Sequence, residues 1–175
     1  VNGNPEMKGR KLPPLPLPRL QVPRTDPAAP PPQGTRDRLL EMGPTRFAER
    51  MKAQPPVLLT DTSMRDAHQS LFATRMRSHD MLAIAPHYAR LAPQLFSLEC
   101  WGGATFDVAL RFLKEDPWER LQRLRQAVPN ILFQMLLRSS NAVGCTNYSD
   151  NVGRFFVQQA ANHRGDGFRA VFYTH

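Results

Sequence analysis

The chain has 175 residues, a formal net charge of +8 and 41% hydrophobic residues. That is enough for one domain, and no apolar run nears the roughly 20 residues of a membrane-spanning helix, so no membrane partner is expected. A basic balance is one signature of a nucleic-acid binder, but residues 1–56 hold 10 Lys/Arg against 5 Asp/Glu while residues 57–175 hold 13 against 10. Most of the excess therefore belongs to a solvated lead-in. No nucleic-acid-binding motif accompanies it, and no nucleic-acid partner is expected.

Ten of the 17 prolines fall in the first 35 residues, where leucine is interleaved with proline in "LPPLPLPRL". Proline fixes φ and removes a backbone donor, so residues 1–34 are expected to form an extended, polyproline-like linker with few burial contacts. A ligand for a small proline-binding adaptor domain is the functional alternative there. Residues 35–56 are a predicted short helical lead-in. "GPTRFAERMKA" (43–53) sets Phe47 and Met51 on one face with Leu40 near them, and Pro55-Pro56 stops it.

The core is expected from residue 57 onward. "VLLTD" (57–61) reads as a buried strand ending in a polar loop. Ser78 is the predicted cap of "HDMLAIAPHYARLA", in which Met81, Ile84, Ala85, Tyr88 and Leu91 recur at helical spacing. "LFSLECW" (95–101) is a second strand, broken by Gly102-Gly103, and a helix follows around Phe106, Ala109, Phe112 and Leu113. Asp116-Pro117-Trp118-Glu119 starts another helix with a cap, a first-turn proline and an acid three residues after the cap. "ILFQMLL" (131–137), "DNVGRFFVQQAANH" (150–163) and "FRAVF" (168–172) complete the pattern as strand, helix, strand.

Apolar strands alternating with helices predict an α/β fold with a parallel sheet and helical crossovers. Polar residues and glycines cluster just after the strands, as Arg65/Asp66/Gln69, Gly102/Gly103/Asp107 and Arg138/Asn141. Those ends carry the chemistry in a (β/α)8 TIM barrel and line the ligand crevice in an open doubly wound sheet. No dinucleotide or P-loop motif is present, which favours the barrel. A complete one needs about 250 residues, so residues 57–175 are expected to supply an incomplete barrel of about four β/α units. Cys100 and Cys145 form no C-x-x-C pair, which suits reduced thiols in a cytoplasmic setting, or in a mitochondrial matrix if the source is eukaryotic. The chain starts at Val1, with no signal peptide, and reads as an internal piece.

Four stretches, "LLTDTSMRDAHQSLFATRMR", "LFSLECWGGATFDVALRFLKEDPWERL", "FQMLLRSSNAVGCTNYSDNV" and "FRAVF", resemble in order and spacing the carboxyltransferase domain of pyruvate carboxylase. Related barrels belong to the oxaloacetate decarboxylase alpha subunit, the alternative enzyme reading. The lead-in "GTRDRLLEMGPTRFAERM" looks like the connection from biotin carboxylase to carboxyltransferase and favours the carboxylase. The resemblance implies a biotin-dependent ligase that moves a carboxyl group from carboxybiotin to the enolate of pyruvate, giving oxaloacetate for anaplerosis and gluconeogenesis. Biotin would arrive on a carrier domain outside this chain, ATP would serve the parent protein, and the parent would be a homotetramer. It also implies a divalent metal such as Zn or Mn with Asp66 as ligand. Arg65 and Gln69 would line the active site with Gln69 facing pyruvate, Arg138 would grip pyruvate, and Asp107 and position 145 would lie in the biotin pocket.

On residue type alone, Asp66 is more simply a helix cap or a partner for Arg65; with several motifs in register, the functional reading is preferred for Asp66, Gln69 and Arg138. Arg138 is equally a surface arginine, and Asp107 a helix-start aspartate. His68 is expected to make a structural hydrogen bond, and Trp101 and Trp118 to pack. The family completes its metal site with a carboxylated lysine and a His-x-His pair on later strands, whereas this sequence has no lysine after Lys114 and no His-x-His. It reads Cys145 where the family commonly has tyrosine, and "FRAVFYTH" where the family continues "FR-V-FDSLN". The isolated chain is therefore expected to be a truncated, non-catalytic fragment or association piece of a parent carboxylase.

Overall fold

A computed structural model describes residues 24–26, 28–71, 75–138, 147–163 and 166–170. Strands β1 (Thr60–Asp61), β2 (Ser97–Gly102), β3 (Leu132–Leu137) and β4 (Gly167–Ala170) form one sheet in chain order, every pair parallel. Parallel neighbours cannot be joined by a hairpin, because each strand must re-enter from the same end. The helical crossovers do this work. α3 (Ser78–Leu91) links β1 to β2, α4 (Gly103–Val108) and α5 (Pro117–Ala127) link β2 to β3, and α6 (Asp150–Asn162) links β3 to β4. The α/β character expected from the strand-helix alternation is present.

A bulge in β2 decides which side chains meet the helices. Glu99 pairs with Gln134, Trp101 pairs with Met135, and Cys100 is the extra residue between them. The inserted residue resets the two-residue alternation. Leu98 and Trp101 therefore join Met81, Ala85, Leu121, Leu124, Phe133, Met135 and Phe156 in the apolar core. The Trp101 ring lies 4.9 Å from Trp118 and 5.4 Å from Phe156, and its indole N–H donates to the Pro117 carbonyl at 2.9 Å. The packing role expected of both tryptophans is what the structure shows. The other face of the strands is polar. Thr60 Oγ1 meets Ser97 Oγ at 2.8 Å, Ser97 Oγ donates to Gln134 Oε1 at 3.1 Å, and Glu99 lies on this side.

Several local expectations are corrected. The first strand is shorter than 57–61: only Thr60–Asp61 pairs, and Val57 and Leu59 are 86% and 66% exposed, because β1 is an edge strand with a neighbour on one side only. The segment after it is no loop. Ser63–Leu71 winds as a π-helix, with Ala67 N–H reaching back five residues to the Thr62 carbonyl at 3.0 Å and Asp61 Oδ1 accepting from Ser63 N–H at 2.8 Å. Ser78 is the first residue inside α3 and does not cap it. The Glu115 carboxylate does so, accepting from Ser78 N–H at 3.0 Å and from Ser78 Oγ at 2.6 Å. Burial works to raise the Glu115 carboxyl, but the hydrogen bonds from Ser78 and Arg120 prevail and hold it down at about 2. Asp116 does cap α5, accepting from the N–H groups of Trp118 and Glu119.

The lead-in forms two helices, α1 (Thr35–Met42) and α2 (Pro44–Ala53), separated at Gly43, whose φ of 77° lies in the left-handed region that favours glycine. That break leaves Leu40 62% exposed and off the face of Phe47, which is buried and stacks on Phe96 at 6.5 Å. Residues 28–34 form no helix or strand, as their prolines require, yet the lead-in is pinned to the sheet and to α3. Arg90 donates to the Asp26 and Ala29 carbonyls, each at 2.9 Å, and Asn130 Nδ2 donates to the Pro32 carbonyl at 2.8 Å. Gly34 packs so closely on Asn130 that a Cβ would lie 2.2 Å from its carbonyl oxygen. Residues 1–23 and 27 of the expected linker lie outside the described residues.

Candidate active site at the carboxyl ends of the strands

Because the strands are parallel, the segments that follow β1, β2 and β3 all emerge at one edge of the sheet. They deliver Arg65, Asp66 and Gln69, then Gly102 and Asp107, then Arg138. The π-helix packs its buried side on β2: Met64 is 1% exposed and Arg65 4%. Arg65 is drawn inward by Glu99, which is fully buried; Arg65 Nη2 lies 2.6 Å from Glu99 Oε1 and 3.2 Å from Asp66 Oδ1. One guanidinium nitrogen thus sits between a carboxylate sealed under the sheet face and one whose side chain is 46% exposed. Gly102 packs tightly on β3, where a Cβ would lie 3.1 Å from the Leu136 carbonyl oxygen, and Arg65 Cδ lies beside it at an ordinary contact distance.

Asp66 Oδ1 also accepts from Ser70 Oγ at 2.7 Å, and Gln69 is half-buried on the same segment. The simpler reading of Asp66, a partner for Arg65, is therefore realised, and it leaves the carboxylate accessible at the sheet edge. His68 is buried, with Nε2 3.1 Å from the Met64 carbonyl oxygen, the structural bond expected of it. Tyr88 O–H donates to Asp61 Oδ2 at 3.3 Å, and burial pushes its hydroxyl up. Asp107 stands on α4 in an exposed ion pair with Arg111 at 2.8 Å. Arg138 is exposed just after β3. Cys145 and Asn141 lie outside the described residues. Cys100 is fully buried, and burial pushes its thiol up to about 12.

Glu99 was not legible as a site residue. It sits in "LFSLECW" among apolar neighbours, and a charged residue at the centre of an apolar strand was the available signal. Among the described residues no group of three or more His, Cys, Asp or Glu side chains could hold a metal ion. The accessible carboxylate of Asp66 does not by itself fit a tightly held divalent metal.

No family model matches the chain. It is 57% identical over 169 residues to the pyruvate carboxylase of Bacillus subtilis, covering 97% of this chain and 14% of that protein. The chain is a pyruvate carboxylase homologue. Mitochondrial pyruvate carboxylase of Homo sapiens is 58% identical over 143 residues, 82% of this chain and 12% of that one. The carboxyl transferase domain of Rhizobium etli pyruvate carboxylase, solved with oxamate and biotin, matches at TM-score 0.81 and 54% identity over 97% of this chain and 28% of that one. The same domain solved with pyruvate matches at TM-score 0.80 and 54% identity. The chain spans about one-seventh of the Bacillus pyruvate carboxylase, and its likeness to the solved structures is to their carboxyl transferase domain.

Proposed function

We propose that this chain supplies one wall of the carboxyltransferase site of a biotin-dependent pyruvate carboxylase, within a barrel of which β1–β4 are the first strands. The observation that carries the reading is the Arg65–Asp66 pair at the carboxyl ends of a parallel sheet, in a chain 54% identical to a carboxyl transferase domain solved with pyruvate. The strict chain order of the four strands supports the barrel over a doubly wound sheet, in which the order reverses at a switch point.

The residues suit the parts this reaction needs. Carboxylation of pyruvate passes through an enolate, whose developing oxyanion is stabilised by preorganised cationic donors. Arg65 is such a donor, always charged and held rigidly from behind. The exposed Arg138 guanidinium presents two parallel N–H groups, matching the two oxygens of the pyruvate carboxylate. Gln69 offers an amide to the keto acid, and Asp107, on α4, is the residue this reading assigns to the biotin pocket. Asp66 is the one carboxylate this reading assigns to a divalent metal, and the described residues do not complete a site for one. The biotin carrier domain, ATP and a homotetrameric parent belong to this proposal, as does a cytoplasmic or mitochondrial location. Among the described residues no helix is long and apolar enough to cross a membrane. The isolated chain is the non-catalytic case of the same reading, because Asp66 alone does not make a metal site.

Alignment through the lead-in, over 97% of the chain with the Bacillus carboxylase, supports the carboxylase over the decarboxylase alternative. The test is oxaloacetate formation from pyruvate, bicarbonate and ATP by the complete protein that contains this segment. Pyruvate-dependent oxaloacetate supports the proposal; turnover of other acyl substrates with none of pyruvate overturns it.

A further inference from the structure

The lead-in is held in a way that a plain linker is not. A proline-rich connection that only spans two folded parts keeps its backbone solvated. Here the carbonyls of Asp26, Ala29 and Pro32, three residues apart each time, are all engaged by side chains of the α/β unit. Arg90 donates from Nε to Asp26 and from Nη2 to Ala29, each at 2.9 Å, and Asn130 Nδ2 donates to Pro32 at 2.8 Å. Three residues make one turn of a polyproline helix, so this spacing suits three carbonyls on one edge of the segment. Thr25 Oγ1 meets His87 Nδ1 at 3.0 Å. Further along, Arg36 N–H donates to the Asn130 carbonyl at 2.9 Å, and Arg36 Nε pairs with Asp166 at 3.0 Å. The Thr35 hydroxyl accepts from Leu132 N–H at 3.3 Å. Asn130 is 3% exposed, and its Nδ2 also donates to the Ala89 carbonyl at 2.8 Å, so one buried amide ties the lead-in to the last turn of α3.

Ala89 and Arg90 end α3, Asn130 precedes β3 and Asp166 precedes β4, so this seat lies at the amino edge of the parallel sheet. The candidate active site lies at the opposite edge. From this geometry we infer that residues 24–26 and 28–36 are a docked strap. The seat of Arg90, Asn130 and Asp166 fixes the direction in which the chain enters the barrel, and with it the placement of the biotin-carboxylating half relative to the carboxyltransferase half. The strap takes no part in either half-reaction; it acts on the passage of biotin between them. The inference rests on the function proposed above, in which the lead-in connects the two halves and a carrier brings biotin from one to the other. A tethered group reaches its second site at an effective concentration set by the connection, and a longer, looser connection lowers it. Proline suits such a strap, because a segment already extended loses less entropy on docking.

The experiment uses the complete protein and Gly34→Ala. A Cβ at Gly34 would lie 2.2 Å from the Asn130 carbonyl oxygen and 2.8 Å from its carbon, so the strap has to leave its seat while every seat side chain stays. Three rates are compared with those of the unmodified protein. They are bicarbonate-dependent ATP hydrolysis without pyruvate, isotope exchange between pyruvate and oxaloacetate without ATP, and oxaloacetate formation from pyruvate, bicarbonate and ATP. The overall rate should fall about tenfold with each half-reaction changed less than about twofold, and hydrogen exchange of the Arg36 amide should quicken. An unchanged overall rate overturns the inference. So does either half-reaction falling as far as the overall rate, because the seat would then serve the fold or the site itself. Unchanged exchange of the Arg36 amide overturns the docking. Should Gly34→Ala fail to fold, Arg90→Met, which frees the Asp26 and Ala29 carbonyls and leaves Asn130 in place, is read by the same three rates. Failure of the functional proposal is separate, because it shows as no pyruvate turnover in the unmodified protein.

Discussion

Replacing Glu115 by alanine should loosen the start of α3 far more than a surface glutamate would. Its carboxylate accepts from Ser78 N–H at 3.0 Å, from Ser78 Oγ at 2.6 Å and from Arg120 Nη2 at 2.7 Å. The Arg120 side chain is 1% exposed and also donates through Nε to Ser78 Oγ at 2.7 Å, so it would be left buried with its charge uncompensated. Hydrogen bonds to charged groups contribute about 1.5–3 kcal/mol each, and breaking a fully buried pair costs about 3–5 kcal/mol. Glu115 keeps 20% of its side chain in contact with solvent, so water offsets part of the loss, and about 2–4 kcal/mol is expected. Hydrogen exchange followed by mass spectrometry on the complete protein reads this locally, as amide exchange across 78–84 faster by about 30-fold to nearly 1,000-fold. The effect depends on pH in one direction. The folded-state carboxyl is held at about 2, below its ordinary 4.5, so the stabilisation is present above 4.5 and is lost as pH falls towards 2. Wild type and variant should differ at neutral pH and converge near pH 2. Exchange unchanged by the substitution at pH 7, or a difference that grows on acidification, would refute the assignment of this carboxylate as the cap of α3.

Trp101→Ala should cost about 3–5 kcal/mol, as a fully buried large side chain does, read as faster exchange across β2 and α5. Arg138→Lys should lower kcat/KM for pyruvate about 10- to 100-fold by removing the second parallel donor, with the melting temperature unchanged because the side chain is exposed. Cys145→Tyr should raise the rate of carboxyl transfer while leaving the KM for pyruvate nearly unchanged, since a thiol is a weaker and shorter donor than a phenol; equal turnover of the two forms would show that position 145 does not limit transfer.

The parts of the fold that sequence reveals are those governed by local rules. The cap at Asp116 and the proline after it mark the start of α5, and continuous apolar runs mark β2 and β3 with ends displaced by only a residue or two. What escapes is set by contacts between distant residues. Ser78 has the chemistry of a cap, but Glu115, 37 residues away, takes that role. The polar stretch after β1 carries ordinary helix and loop residues, and nothing in them marks the π-helical winding in which Met64 and Arg65 are buried. The same holds at the candidate site. Arg65, Asp66 and Gln69 are legible as a cluster because they adjoin in sequence, while Glu99 belongs with them only through the sheet. Asp107 and Arg138 arrive at the same edge of the sheet, and the contact the structure gives Asp107 is with Arg111, as a surface helix pair.

The most direct test of the claim that this sheet edge serves carboxyl transfer isolates that half of the chemistry from ATP. On the function proposed, oxaloacetate would give its carboxyl group to the biotin of the complete protein and release pyruvate, so isotope from labelled pyruvate should appear in oxaloacetate without ATP. The account predicts exchange in the unmodified protein, lowered at least about 100-fold by Arg65→Gln with biotinylation and folding intact. Exchange that proceeds at the unmodified rate in Arg65→Gln would contradict it.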